Sequence, residues 1–188
     1  MSLTKSSNEH RIEGERSTSD GGLRFFSSSC LVPPPMSIAP SEKEISFSRG
    51  SYLIDTNVLS EVRKGHRCHS NVAAWWRTIE DGQIYLSVLS IGEIRRGIDL
   101  LRAKGDDRAG GSLEGWFRRL TELYRDRILP VNVAIAEEWG RMNVPDPVST
   151  VDGLLASTAK IHGLTLVTRN VRDIARTGVA HLDPFLRH

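Results

Sequence analysis

The chain has 188 residues, of which 39% are hydrophobic and 26% are charged, and its formal net charge is +2. This composition is typical of a globular protein, and no apolar run approaches the roughly 18–20 residues that a membrane-spanning helix needs, so an integral membrane protein is excluded. Because the net charge is small, a surface that binds phosphates would have to concentrate its basic residues on one face.

Residues 1–50 differ in composition from the rest of the chain. They contain the runs Ser27–Ser29 and Pro33–Pro35, and their six basic and six acidic residues cancel, so the remainder carries the whole net charge. Such a segment cannot bury enough apolar surface to offset the entropy of ordering it. We expect a disordered extension, or a start codon assigned too far upstream with Met36 as one internal candidate. Residues 51–188 are then a single folded domain.

From residue 51 onward, strand-like and helix-like patterns alternate. Ile91, Ile94 and Ile98 recur at helical spacing, Gly105 ends that helix, and Asn132 can cap a later helix through its side-chain oxygen. In chain order we predict strand 52–54, helix 57–64, helix 72–79, strand 84–86, helix 90–104, helix 112–124, strand 128–129, helix 133–141, helix 150–162, strand 164–168, helix 171–175 and strand 179–182. Strands separated by helices predict a parallel sheet covered on both faces, which is the α/β class.

Four acidic residues lie at the ends of predicted strands or in helices near them. Asp55 ends the first strand, Glu93 lies one turn into the helix after the second, Asp152 lies in the first turn of its helix, and Asp173 follows the strand at 164–168. Ligands of parallel sheets bind at the carboxyl ends of the strands, so these side chains are expected to share one edge. Clustered carboxylates repel one another unless a cation neutralises them, and hard oxygen ligands suit Mg²⁺ or Mn²⁺. The pattern predicts phosphodiester hydrolysis by a metal-activated water.

Each of these acids also has a simpler interpretation. Asp152 can be only a partner of the helix dipole, since acidic residues are common in first turns. Glu93 can pair with a basic residue on an exposed helix face, and Asp173 can be a surface acid among neighbouring arginines. Asp55 is harder to dismiss, because aspartate is disfavoured in strands and here directly follows a buried run. The hypothesis of a metal site therefore depends on the set of acids and on no single member.

Several segments, in order, resemble those of PIN-domain proteins. Ser51–Glu61 is similar to the opening strand and first acid of that family, and Leu86–Gly97 to the helix that carries the second acid. Val151–Ala159 followed by Leu164–Asn170 resembles the third acid and the strand after it. The resemblance covers residues 51–188, and the order of the segments makes it specific. It implies a PIN-like three-layer sandwich, with a central parallel sheet between two layers of helices.

The resemblance also implies roles for particular residues. The metal ligands that carry over directly are Asp55, Glu93 and Asp152. Many relatives have an acid directly after the Thr-Arg pair, where this chain has Asn170, whereas others have Asn there and an acid three residues later. That pattern implies Asp173 as the fourth acid, with Asn170 as an oxygen ligand or orienting group. Thr56 and Asn57 are expected to hold the carboxylates in place.

The activity that the resemblance implies is that of a Mg²⁺- or Mn²⁺-dependent endoribonuclease, the VapC-like toxin of a toxin–antitoxin pair. RNA would be its substrate, an antitoxin protein its partner, and a homodimer its assembly. Four arginines flank the acids, and they can serve RNA binding, antitoxin binding or solubility alike: Arg95, Arg96, Arg169 and Arg172. Of the two cysteines, Cys30 and Cys68, the first falls in the extension, so no structural disulfide is expected and a reducing cytoplasm fits.

Two other functions compete with the nuclease. A PIN fold whose fourth acidic position holds Asn170 can be a catalytically inactive module that binds RNA or protein. A dehalogenase-like phosphatase also begins with an aspartate after a strand, but that chemistry needs a second aspartate two residues later, where this chain has Asn57. Because three acids of the nuclease pattern are present and Asp173 is close in sequence, the sequence favours the enzyme.

Overall fold

The computed structural model describes residues 50–187. Within this range the strands are β1 (Tyr52–Ile54), β2 (Ile84–Ser87), β3 (Ile128–Leu129), β4 (Thr165–Val167) and β5 (His181–Leu182). The helices of the same range are α1 (Thr56–Val62), α2 (Ser70–Trp76), α3 (Val88–Ala103), α4 (Asp107–Leu123), α5 (Val133–Met142), α6 (Thr150–Ile161) and α7 (Val171–Ala175). The prediction for the N-terminal extension, residues 1–50, lies outside the described residues apart from Gly50.

All strand pairs of the described sheet are parallel, in the order β3-β2-β1-β4-β5. The first strand of the sequence is thus the central one, with β2 on one side and β4 on the other. The chain moves outward from β1 in one direction and later returns to build the other half. Such a reversal of strand order leaves a crevice at the carboxyl ends of the strands.

Hydrophobic residues of neighbouring strand positions pack into two separate cores. Ile54 and Val167 belong to a core that also contains residues of α1, α2, α3 and α4. Leu53 and Leu166, one position earlier in the same strands, belong to a second core built with α6 and α7. Because successive strand residues point to opposite faces, this alternation places helices on both sides of the sheet. The predicted α/β three-layer sandwich is confirmed.

The largest difference from the predicted elements is the start of α4, at Asp107 rather than at residue 112. The side chain of Asp106 accepts a hydrogen bond from the Ala109 N–H at 3.0 Å and so caps the helix five residues before the predicted start. A Cβ at Gly110 would lie 3.0 Å from the Cγ of Arg102, so a small residue there lets α4 pack closely on α3.

Among the described helices, none combines the length and apolar character that crossing a bilayer requires.

Candidate functional site

A cavity of about 430 Å³ opens where the carboxyl ends of β1, β2 and β4 meet. Its lining residues come from the loops and helices that follow these strands and from the start of α6: Asp55, Thr56, Asn57, Ser60, Glu93, Arg96, Asp152 and Asn170. Three of the acids that the sequence singled out thus face one space, although up to 97 positions separate them along the chain. Asp173 is not among the lining side chains. It lies in the first turn of α7, where its carboxylate contacts Arg176 at 3.5 Å.

Asp55 is the most buried of the three acids, with 7% of its surface exposed. It directly follows β1 and occupies the N-cap position of α1 in an extended conformation. Both Asn57 Nδ2, at 2.5 Å, and Thr168 Oγ1, at 2.6 Å, donate to its Oδ2 atom. Thr168 is itself only 1% exposed and directly follows β4, while Asn57 lies in α1, so the two bonds connect the carboxylate to α1 and to the end of β4.

The electrostatic environment of Asp55 opposes its charge. Burial raises the pKa of this carboxyl above its ordinary value, and the negative charges of Glu93 and Asp152 raise it further. Hydrogen bonds from the Thr168 hydroxyl and the Thr56 backbone act in the other direction without reversing the net shift. The three carboxylates therefore interact as a group, and the interaction is repulsive.

Asp152 is held at the start of α6 by two neutral side chains. Ser149, the N-cap residue, donates from Oγ to Asp152 Oδ2 at 2.6 Å and accepts from the Asp152 N–H at 3.3 Å. Asn170 Nδ2 donates to the same oxygen at 2.9 Å. The first turn of a helix also carries a partial positive charge that favours an anion. The position of this carboxylate is thus fixed from α6 and from the loop after β4.

Glu93 reaches the cavity from α3, the helix that starts directly after β2. Ser87 caps this helix by accepting from the Leu89 N–H at 3.2 Å. Thr56 Oγ1 donates to Glu93 Oε2 at 2.5 Å and so connects the second acid to the residue next to Asp55. The predicted supporting residues Thr56, Asn57 and Asn170 all contact an acid of the cavity.

The charge of these acids is not balanced by neighbouring cations. Among residues 50–187, no ion pair involves Asp55, Glu93 or Asp152, and their hydrogen-bond donors are hydroxyl, amide and backbone groups. Arg96 is the basic residue that lines the cavity, and its guanidinium forms no ion pair within the described range. The result is an excess of negative charge around a solvent-accessible space.

This donor set fits a hydrated divalent cation. In the described part of the chain no three Asp, Glu, His or Cys side chains are gathered tightly enough to enclose a bare ion. Mg²⁺ does not need such a cage, because it keeps several waters and takes only one or two carboxylates directly. The spaced carboxylates of the cavity suit that mode of binding, and their oxygen chemistry suits hard cations such as Mg²⁺ and Mn²⁺.

Sequence reasoning missed two residues of the site, Thr168 and Ser149. Thr168 was considered only as part of a motif, yet its hydroxyl also accepts from the Asn170 N–H at 3.0 Å and so links the loop after β4 to Asp55. Ser149 precedes Asp152 by three positions, which is the spacing of an N-cap and its first-turn acid. That spacing was a signal available in the sequence.

Comparison with known proteins identifies the family of this chain. A model of the PIN domain matches residues 52–179. The chain belongs to the PIN domain family. Toxin FitB of Neisseria gonorrhoeae is 30% identical over 139 residues, which cover 71% of this chain and 97% of that protein. VapC ribonuclease Y4jK of Sinorhizobium fredii is 26% identical over 140 residues, covering 71% and 96%.

The fold of this PIN domain is similar to that of solved toxin–antitoxin structures. The crystal structure of FitAcB from Neisseria gonorrhoeae superposes with a TM-score of 0.65 at 28% identity, over 71% of this chain and 98% of that one. DNA-bound VapBC from Salmonella typhimurium superposes with a TM-score of 0.56 at 20% identity, over 72% and 98%.

Proposed function

We propose that this PIN domain is a metal-dependent endoribonuclease and the toxin of a toxin–antitoxin pair. The observation that carries the proposal is the convergence of Asp55, Glu93 and Asp152 on one cavity without a neutralising cation among the described residues. The proposal is further supported by relatives that are named as a toxin and as VapC ribonucleases.

In this proposal Asp55, Glu93 and Asp152 hold Mg²⁺ or Mn²⁺, directly or through water. From the loop after β4 we assign the fourth position to Asn170 in place of Asp173, because Asn170 lines the cavity while Asp173 contacts Arg176. Asn57 and Thr168 orient the first acid, Thr56 orients the second, and Ser149 orients the third. Neutral donors suit this task, since they fix the carboxylates without taking away their charge.

A bound divalent ion would lower the pKa of a water and stabilise the oxygen that leaves from the phosphorus. The protein's own contribution is geometric and electrostatic. Three carboxylates approach the cavity from different elements, and the buried Asp55 gives it one rigid wall. The phosphodiester of an RNA strand is the substrate that matches such a site.

The test is RNA cleavage by the purified full-length chain with Mg²⁺, with Mn²⁺ and with EDTA. Asp55→Asn and Asp152→Asn should reduce cleavage at least a hundredfold, whereas Asp173→Asn should retain most of it, since removal of a group acting in the transition state costs on the order of 10²-fold or more. Asp126→Asn, an exposed acid outside the cavity, is the control for a change of charge alone. Cleavage that continues in EDTA, or full activity of Asp55→Asn, would refute the proposal. RNA binding without cleavage under any metal would favour the inactive binding module.

The proposal extends to partners and location. A toxin-antitoxin complex from Klebsiella pneumoniae is among the solved structures of similar fold, with a TM-score of 0.52 at 23% identity, and a relative is named toxin FitB. We infer an antitoxin partner and a homodimeric assembly for this chain, in a reducing cytoplasm that matches the free thiol of Cys68. Co-expression with the protein encoded next to this gene, followed by size-exclusion chromatography with light scattering, tests both the complex and the dimer.

A further inference from the structure

A shallow groove continues from the cavity along the surface of α3. We call it the α3 groove, and its lining residues are Gly92, Arg95, Arg96, Asp99, Leu100 and Ala103. Its volume is about 490 Å³, and it follows α3 for about 16 Å at 1.5 Å per residue. Arg96 lines both the groove and the cavity, so the two spaces meet at this side chain.

Arg96 differs from the other arginines of this surface. Three of them surround one carboxylate, that of Glu114, which contacts Arg95 at 3.3 Å, Arg118 at 3.5 Å and also Arg102. Arg95 in addition lies over the ring of Phe117 at 4.8 Å. Arg96 forms no hydrogen bond or ion pair within residues 50–187, although it is exposed beside three carboxylates. A guanidinium in this state keeps its five donors free for a ligand.

The charges around the groove favour a polyanion that enters the cavity from this side. The cavity wall has three carboxylates and one arginine, so it repels phosphates except where a divalent ion lies. The Glu114 cluster, with three arginines against one acid, makes the neighbouring α3–α4 surface positive. An RNA strand with one phosphodiester at the acids would therefore be repelled on most of the rim and attracted at Arg96.

We propose that Arg96 binds the phosphate next to the scissile one, and that the RNA strand leaves the cavity along the α3 groove. This inference depends on the proposed nuclease function. RNA is favoured over an acidic protein segment because the proposed reaction already places one phosphodiester at the carboxylates, and Arg96 then meets the next phosphate of the same strand. Arginine suits this role since its planar fork matches a phosphate.

The experiment measures binding of a short fluorescein-labelled single-stranded RNA to the full chain, with Ca²⁺ in place of Mg²⁺ as the oxygen-bound ion at the carboxylates, by anisotropy over a range of monovalent salt concentrations. Arg96→Ala should weaken binding about tenfold at low salt, as expected for a lost charge-assisted bond. It should also reduce the slope of log affinity against log salt by about 0.7, the value for one phosphate contact on a single strand. Arg96→Lys should restore the slope. Arg125→Ala, which removes an equal charge from a residue that pairs with Glu122 outside the cavity, should leave the slope unchanged.

A second pair of variants tests the path of the strand. A Cβ at Gly92 or at Gly140 meets no atom within 4 Å, so both positions accept a side chain, but only Gly92 lines the α3 groove. Gly92→Gln should weaken RNA binding severalfold, whereas Gly140→Gln should not. In cleavage assays with Mn²⁺, Arg96→Ala should raise KM more than it lowers kcat.

The proposal is overturned if Arg96→Ala binds RNA with wild-type affinity and slope, or if Arg125→Ala loses as much as Arg96→Ala. In the first case Arg96 serves a protein partner or solubility instead. The two proposals fail separately. Cleavage that is indifferent to Arg96 refutes only this inference, while Arg96-dependent binding without cleavage under any metal refutes only the nuclease.

Discussion

Replacing Asp55 with asparagine should stabilise the folded domain while it abolishes activity. Asp55 is 7% exposed, and the pKa of its carboxyl is raised by burial and by the charges of Glu93 and Asp152. The negative charge of Asp55 therefore destabilises the folded state. Asparagine has nearly the same shape and no charge. Its carbonyl oxygen can accept the bonds of Asn57 and Thr168, because both donate to a single oxygen of the aspartate.

The gain in the free energy of unfolding is the balance between the unfavourable interactions that asparagine removes and the hydrogen bond that it does not make. Asparagine removes the desolvation of a charged group and two repulsive interactions, but the bond from the Thr56 backbone N–H is lost wherever the asparagine NH2 group replaces its acceptor, because an NH2 group cannot accept. Substitutions that relieve a functional site of such strain commonly gain about 0.5–2 kcal/mol. For a domain of this size that corresponds to a rise in Tm of about 2–6 °C.

The gain should depend on pH in a defined direction. Since the pKa of Asp55 is higher in the folded state, the folded chain binds more protons than the unfolded chain between the two pKa values, and wild-type stability falls as pH rises through that interval. The asparagine variant lacks this loss. The difference between the two proteins is therefore full above the folded-state pKa of Asp55 and closes as pH falls toward the ordinary carboxyl pKa.

Thermal and urea unfolding in EDTA, from neutral pH down to about pH 4, measure this difference. Asp126→Asn, exposed and without an ion pair among residues 50–187, should change stability by less than about 0.5 kcal/mol. Addition of Mg²⁺ should raise the Tm of the wild type and have little effect on Asp55→Asn, since a ligand at a hundred times its Kd stabilises by about 2.7 kcal/mol. A destabilised variant, or a difference that does not change with pH, would refute the electrostatic argument.

Three further substitutions test the packing and hydrogen bonds of the site. Thr168→Val removes the hydroxyl that donates to Asp55, so it should lower the free energy of unfolding by about 1–3 kcal/mol and lower kcat for RNA cleavage. Thr168→Ser retains the hydroxyl and should retain both stability and kcat, as urea titration and RNA cleavage will show. Gly153→Ala would place a Cβ 2.8 Å from Trp139 and should destabilise by about 1–3 kcal/mol in the same titration. Asn170→Asp exchanges a donated bond for a like-charge contact, so calorimetry should show lower stability in EDTA and a larger gain from Mg²⁺.

The fold could be predicted from the sequence because its strands are short buried runs between amphipathic helices. The runs at 52–54, 84–86 and 128–129 match the observed strands within one residue. Helix starts were harder to predict where the cap is a local side-chain bond. Asn132 was recognised as a cap, and it accepts from the Ile135 N–H at 3.0 Å. Asp106 was not recognised as a cap, and the start of α4 was therefore predicted at residue 112 instead of Asp107.

The candidate site was predictable to the extent that it depends on strand ends. Asp55, Glu93 and Asp152 face one cavity because the elements that carry them meet at one edge of the sheet. The fourth position was not predictable in this way. Asn170 and Asp173 both follow β4 closely, and the choice depends on which side chain turns toward the cavity. Arg176 lies three positions after Asp173, so their ion pair was one of the interpretations that the spacing left open, but spacing alone could not decide between that pair and the cavity.

A continuous path of hydrogen bonds explains how two of the three acids, Asp55 and Asp152, keep their relative positions. Asn57 and Thr168 bind the carboxylate of Asp55, Thr168 accepts from the Asn170 backbone, and the Asn170 amide donates to Asp152. Each connecting group is neutral, so the path fixes geometry and leaves the negative charge in place. A salt bridge at any of these points would instead neutralise the carboxylate that it binds. The unfavourable electrostatics of Asp55 thus accompany an arrangement that the proposed cation site requires, in which the acids are held in place and keep their negative charge.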